Sequence, residues 1–252
     1  MPEYAGAPVF NGVLFLAERF FVSPDAVSGG SAVVTGEDHL HLSRVLRAKK
    51  GDRFTLCDGC GHDYAAVVDE VAKDCTRFSL ADAEPSAGEP SHGITLYQCL
   101  CKGDRMDWLV QKAVETGAVR IVPVISERCV AREADDKKLR RLQRIAMEAA
   151  KQCGRGIIPE VCPAVRLSAL PRHQKLLFAW EEDRMAPLSA ALDKDDTDIA
   201  LLIGPEGGLS EAEAETLRNM GGRSFGLGKR ILRAETAGPV SIALILHELG
   251  EF

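Results

Sequence analysis

Two glycine-bearing stretches near the C-terminal end have the composition of ligand loops. The first, Gly204-Pro205-Glu206-Gly207-Gly208, follows the apolar run Leu201–Ile203. It has neither the lysine of a phosphate-cradling loop nor the G-x-G-x-x-G spacing of a dinucleotide site. The second, Gly226–Ala237, reads GLGKRILRAETA and follows another strand-like run. Both leave backbone N–H and C=O groups open to close approach, because glycine has no Cβ. Glu206 sets a carboxylate in the first loop, which repels phosphate and attracts a cation. Main-chain groups alone can read a purine edge. The pair therefore suits an adenosine-like ligand that carries positive charge and no polyphosphate, a description S-adenosylmethionine meets. Two glycine turns that merely punctuate the fold would have the same composition.

Loops of this kind work when strands aim them, and ligands of open α/β sheets collect beyond the carboxyl ends of the strands. Apolar runs at 94–100, 120–126, 175–180, 199–203 and 223–227 read as strands. Helices are expected between them. One spans 105–116, capped by Asp104 and closed by Gly117. A second spans 136–153, with Leu139, Leu142, Ile145, Ala146 and Ala149 as its apolar stripe. Ser210 and Glu213 form a capping box for a helix at 211–220. The last is expected at 237–249, with Pro239 in its first turn. This is the rhythm of a mainly parallel α/β domain. Lys102, Gly103, Asp104 and Arg105 follow a strand end and could border the cleft. Met106 and Trp108 are expected to pack into the core.

A Pro/Gly/Ser-rich stretch, Glu84–Gly93, reads as a linker. Before it the signals are mostly β: a strand at Arg19–Val22, a short helix from Thr35 to Leu46 capped by Thr35 with Asp38, and an alternating region with an Asp58-Gly59 turn. A small β-barrel-like domain over 18–85 is the expectation, with 92–252 as the α/β domain. Residues 1–17 read as a loosely packed extension. They carry no basic stretch ahead of their apolar patch, so a secretory signal is not expected, and no apolar run is long enough to span a membrane.

The net charge is −6, so the chain has no globally basic field. The charge is patchy, however: residues 137–155 carry seven Lys/Arg against one Glu, and residues 44–53 carry five against one Asp. Local basic surface is what phosphate contacts need. Eight cysteines include a C-x-x-C at Cys57 and Cys60, but no second pair completes a zinc spacing, and free thiols with no metal are expected.

The stretches KGDRMDWLVQKAVETG, RIVPVISERCV, EAAKQCGR, IGPEGGLSEAE and LGKRILRAETA, in this order and spacing, resemble the SPOUT-class methyltransferases that make 3-methyluridine in small-subunit ribosomal RNA, the RsmE family. RFFV, HLHLSRVLR and the Asp58-Gly59 hairpin are similar to that family's N-terminal PUA-like domain. The resemblance covers about residues 18–250. It implies a cytoplasmic homodimeric enzyme that acts on 16S ribosomal RNA, with a PUA-like β-barrel domain ahead of an α/β domain tied in a trefoil knot. Four departures stand out: the extra residues 1–17, Lys151 at a frequently acidic place, Ala234 at a frequent threonine, and Gly238-Pro239 within the last helix.

The resemblance also implies site residues. Phe178, Trp180 and Glu181, then Ile203, Gly204, Pro205, Glu206, Gly207 and Gly208, then Leu227, Gly228, Ile231, Leu232, Thr236 and Ala237 would hold S-adenosylmethionine. Arg233 would stabilise a negative uracil. As a fixed cation it cannot be the base, and Glu235 is the nearest proton acceptor or a brace for Arg233. An Arg233–Glu235 pair that only braces its loop, and a Thr236 that caps the last helix, are the plainer alternatives. Arg44, Arg47, Lys49, Lys50, Gln152, Arg155, Lys229 and Arg230 would meet RNA. His39 and His41 flank a basic helix, where they face RNA or belong to an ordinary surface. The competing functions are a non-catalytic RNA-binding protein of this fold, a methyltransferase for another RNA position, and a dinucleotide-dependent enzyme that lacks its fingerprint.

Overall fold

A computed structural model describes residues 18–130 and 135–251. The expectation for residues 1–17 lies outside them. The described residues form two compact units: one is 18–89 with Lys151–Ile157, the other 90–130 and 135–150 with 158–251.

The N-terminal unit is a sheet built from β1 (Arg19–Phe21), β2 (Val27–Ser28), β3 (Ser31–Thr35), β4 (Arg53–Cys57), β5 (His62–Val71), β6 (Cys75–Leu80) and β7 (Glu84–Pro85). The order is β1-β4-β5-β6-β3-β2, with β7 on β5, so β1 and β2 are the two ends and the sheet is a half-barrel rather than a closed barrel. Its inward positions come from strand alternation: Phe20, Leu56, Ala66, Val68 and Phe78 are buried beneath Leu42. Phe20, Phe54 and Phe78 meet edge-on, with centroids 5.8 and 6.1 Å apart. The helix expected from Thr35 to Leu46 divides into α1 (Gly36–Leu40) and a wider turn over His41–Val45. Thr35 makes no side-chain cap. Asp38 is drawn instead to Lys151, 2.9 Å away. His39 is buried, its ring bonded to Thr76 Oγ1 and Lys73 O, so it offers RNA nothing. Cys57 is buried beside Arg19, 2.9 Å from its guanidinium, while Cys60 is exposed.

The C-terminal unit alternates β8 (Gly93–Cys99), α2 (Arg105–Glu115), β9 (Ala118–Ile125), α3 (Asp136–Cys153), β10 (Glu160–Val161), β11 (Val165–Arg166), β12 (Lys175–Ala179), β13 (Asp198–Ile203), α4 (Glu211–Asn219), β14 (Arg223–Phe225) and α5 (Ala234–Glu248). All its strand pairs are parallel, in the order β10-β9-β8-β13-β12-β14, with β11 also on β9. Strands covered on both faces read as apolar runs: β12 and β13 are nearly continuous in Leu, Ile, Ala and Phe, while β8 buries Thr95 and Gln98 among its apolar residues. β10 and β11 are two-residue pieces, too short for alternation to announce.

Two further helix starts and one helix residue depart from expectation. Asp104 makes no capping hydrogen bond to α2, and its carboxylate lies 3.8 Å from Arg141. Met106 is fully buried as expected, but Trp108 is 45% exposed. α5 begins at Ala234 with Arg233 in the N-cap position, so Thr236 is inside the helix and caps nothing, and Pro239 falls in the second turn. By contrast, the Ser210–Glu213 capping box is complete in both directions.

These caps separate two substitutions. Ser210→Ala should lower unfolding free energy by about 1 kcal/mol, because it strands the Glu213 N–H. Thr35→Ala, which loses no cap bond, should stay within about 0.5 kcal/mol of the parent. Urea denaturation of both variants checks the contrast.

Candidate active site

The carboxyl ends of three parallel strands are level. Ala179 of β12 pairs with Ile203 of β13 and with Phe225 of β14. The three loops that follow therefore start side by side and surround a cavity of about 410 Å³. That is within the range of small-molecule sites.

Trp180 and Glu181 form one wall, Ile203-Gly204-Pro205-Glu206 and Gly208 a second, and Leu227, Gly228, Ile231, Leu232, Arg233 and Ala237 a third. Gly208 has φ +68°, a backbone conformation that calls for glycine, and a Cβ there would meet the flexible end of Glu181 at 2.8 Å. Trp180 is held by its N–H to Phe225 O at 3.1 Å, and the Arg218 guanidinium stacks 4.4 Å from its ring centroid.

Glu206 is the electrostatic centre. Its Oε1 accepts from the Lys102 N–H at 3.1 Å and from Arg105 Nη1 at 2.9 Å. Desolvation works against its charge, but the main-chain donors and Arg105 outweigh it, and the carboxyl is held below the usual carboxylate range. Arg105 Nε is also 3.7 Å from Glu235 Oε1, and Arg233 Nη1 is 3.9 Å from the same oxygen. Glu235 is nine-tenths buried, and among the described residues its second oxygen, Oε2, has no hydrogen-bond partner. The loop is supported from behind by Arg128, whose Nη1 donates to Gly207 O at 2.9 Å and Leu209 O at 3.3 Å.

Not every expected residue reaches the cavity. Phe178 is fully buried in the core under the strand end. A strand alternates its faces, so with Ala179 turned to the cavity Phe178 points away from it. Gly207 lies against Arg128, with a notional Cβ 3.3 Å from Arg128 Cβ. Thr236 and Glu235 line an adjoining hollow instead. Arg230, expected among RNA contacts, lines the cavity, and Lys229 next to it is exposed. Arg155 is corrected: it is 2% exposed, and its Nε and Nη2 donate to the Glu89 carboxylate, which also takes the N–H groups of Gly156 and Ile157. Arg44, Arg47, Lys49, Lys50 and Gln152 are exposed. The first four make no ion pair among the described residues, and Arg47 holds a left-handed φ of 53°.

Ala179, Arg184, Leu209 and Ala234 also line the cavity, and Arg105 borders it. Arg105 and Arg128 both follow strand ends, the signal that marks a ligand-facing loop. Arg105 borders the cleft as that signal leads one to expect, whereas for Arg128 residue type alone does not tell which strand end closes on the site.

The RNA methyltransferase domain family matches this chain over residues 88–246, and the RNA methyltransferase PUA domain family over 34–74. Ribosomal RNA small subunit methyltransferase E of Bacillus subtilis is 32% identical over 85% of this chain and 89% of its own length. The protein of the same description from Aquifex aeolicus is 33% identical over 86% and 94%. A crystal structure of ribosomal RNA small subunit methyltransferase E from Neisseria gonorrhoeae, bound to S-adenosyl methionine, superposes with a TM-score of 0.83 at 32% identity, covering 94% of this chain and 99% of that one. The fold is that of an RNA methyltransferase. The chain belongs to the ribosomal RNA small subunit methyltransferase E family.

Two measurements test the loop. Arg128→Ala removes the donor to two loop carbonyls, so amide hydrogen exchange should quicken in residues 204–209 and stay unchanged in β8 and β9. For Glu206, a folded pKa below its unfolded value means that its contacts stabilise the fold at neutral pH. That contribution is lost as pH falls through the lowered folded value. The NMR amide shift of Lys102 should accordingly titrate with a midpoint below the ordinary glutamate value.

Proposed function

We propose that this chain transfers a methyl group from S-adenosylmethionine to N3 of a uridine in the 16S RNA of the small ribosomal subunit. The observation that carries the reading is the cavity itself: three level loops, two of them with bare glycine backbone, closing around a carboxylate that stays charged. Bound there, S-adenosylmethionine supplies a methyl carbon activated by a sulfonium centre. Glu206 and Glu181 match that positive charge, the Trp180 indole offers an apolar wall, and the main chain of Gly204, Gly208 and Gly228 leaves room for close approach.

The imide nitrogen of uracil carries a proton at neutral pH. Its removal needs an acceptor, and the anion that forms needs a cation. Glu235 is assigned the first role. It accepts the N3 proton on its carboxylate, leaving the electron pair on N3, and releases the proton to solvent afterwards. Arg233, 76% exposed at the side chain, is assigned the second, with its guanidinium directed to a uracil oxygen. Ordering the two reactants contributes roughly 7–11 kcal/mol to such a reaction, and proton transfer about 10²–10⁴-fold, so positioning dominates.

Arg44, Arg47, Lys49 and Lys50, all exposed on residues 18–85, are proposed to hold RNA phosphates together with Lys229. In keeping with the family resemblance, we also propose that two copies pair in the cytoplasm. Among the described residues no helix is long and apolar enough to cross a membrane.

Incubation with S-adenosylmethionine and either naked 16S RNA or small subunits, followed by nucleoside mass spectrometry, should yield 3-methyluridine. A methyl on carbon or ribose would relocate the activity, and RNA binding with no methylation of either substrate would leave only a binding module. Arg233→Ala should lower kcat by about 10²-fold, as for loss of one preorganised donor, with an unchanged melting temperature.

A further inference from the structure

Beside the donor cavity lies a second hollow of about 660 Å³, and Arg105 lines both. Its other walls include Lys102, Trp108, Glu235 and Thr236, with the exposed Asp104 at the rim. Two features of it lack a structural explanation. α2 buries Met106, Leu109, Val110, Ala113 and Val114 completely, yet leaves the Trp108 indole 45% exposed. Glu235 is nine-tenths buried, yet its Oε2 has no donor. A half-exposed indole invites a flat apolar partner, and a buried acceptor without a donor costs free energy until one arrives.

One group supplies both. A base turned out of its stack presents a flat face and a hydrogen-bonding edge. At the ring position in the middle of that edge, uracil and guanine carry an N–H, while adenine and cytosine carry a lone pair. A carboxylate there accepts from the first two and repels the others. The flanking groups then separate uracil from guanine. Uracil has a carbonyl on each side of its N–H, whereas guanine has an amino group on one side. The groups beside Glu235 are cations, Arg105 and Arg233, and the exposed Lys102 lines the same hollow; Arg105 retains N–H donors beyond those facing Glu206 and Glu235. Cations donate to two carbonyls and clash with an amino group.

We propose that this hollow receives the target base, and that it selects uracil by an acceptor set between donors. Trp108 is the stacking wall, the Glu235 carboxylate takes the N3–H, and Lys102 and Arg105 donate to the flanking oxygens, one of which also takes the Arg233 guanidinium through its second lone pair. The shared Arg105 wall sets N3 next to the donor cavity. The proposal rests on the uridine-N3 reading above and adds where the base lies and why it is uracil.

Fluorescence of the full-length protein tests the pocket without turnover. The chain has two tryptophans, Trp108 and Trp180, so Trp180→Phe leaves Trp108 as the sole indole. Oligouridylate should quench that emission saturably, and oligocytidylate at the same concentration should quench it far less. Equal quenching, or none, overturns the proposal. In steady-state methylation of small subunits, Trp108→Ala should raise KM for RNA on the order of ten-fold, from the loss of one base–aromatic stack. Trp108→Phe should restore most of it, and the dissociation constant for S-adenosylmethionine should stay within about two-fold. An unchanged KM, or a loss of activity that comes with a changed sedimentation coefficient, would assign Trp108 to another role and sink the pocket. A protein that methylates no RNA, yet shows the uridine-selective quenching, would fail the methyltransferase reading and keep the pocket.

Discussion

The site depends on one constraint of backbone register. Ala179, Ile203 and Phe225 stand side by side at the ends of adjacent parallel strands, so three separate loops leave the sheet at one level. A slip of one residue in any of them would turn its last side chain to the other face and raise or lower its loop by about 3.3 Å. A second contact locks the arrangement. Where the chain leaves β14, Gly226 donates to Ala186 O at 3.0 Å, and a Cβ on it would lie 2.0 Å from Arg184 O. The two backbones meet with no room for a side chain. The last loop is thereby pressed against the connection after β12, and the cavity closes between them. Arg128 does the same for the middle loop through two of its carbonyls.

On this frame the electrostatics are local. A chain with net charge −6 gains no attraction to RNA from its total, and the arrangement of charge decides. Inside, Glu206 and Glu235 share Arg105, so neither carboxylate faces the other unscreened. The two differ in what remains: Glu206 is tied by a main-chain N–H and an arginine and stays ionised, while Glu235 keeps one oxygen without a donor. Two like groups 2.9 and 3.7 Å from one guanidinium thus receive different chemistry from their surroundings, one as a fixed charge and one as an acceptor.

Much of the fold was legible because its determinants are local. Strand runs, the Ser210–Glu213 box and the stripe of α3 are patterns within one segment, and the structure places each within a few residues of its expected range. What was not legible depends on partners distant in sequence. Arg155 looks like a phosphate contact in its basic helix, and only Glu89, 66 residues away, shows that its guanidinium is already occupied. Asp104 and Thr35 are good cap residues by type, and each carries no cap bond where it stands. Trp108 lies on an amphipathic helix and was expected inside, but apolar residues three and four positions apart leave the edge of their stripe undecided. Arg128 has no motif at all: its value comes from two carbonyls that the fold brings to it.

The start of α5 shows how a local rule is overridden where chemistry is done. Gly238-Pro239 argues for a helix that begins at 237, with proline in the first turn. The helix begins instead at Ala234. The Pro239 ring then has no N–H for the carbonyl four residues back, that of Glu235, which a normal helix would satisfy. Glycine at 238 is the compensation. A Cβ there would lie 2.9 Å from Gln98 Oε1, so its absence lets α5 approach β8 closely. The early start has a direct consequence. It puts Glu235 in the first helical turn, where the helix dipole favours a carboxylate, and within reach of Arg105 and Arg233. A helix begun three residues later would leave Glu235 on a loop, solvated, with no need of a partner. The hydrogen bond missing at Pro239 and the buried, unpartnered oxygen of Glu235 both belong to this first stretch of α5, beside the hollow where the reacting base is proposed to enter.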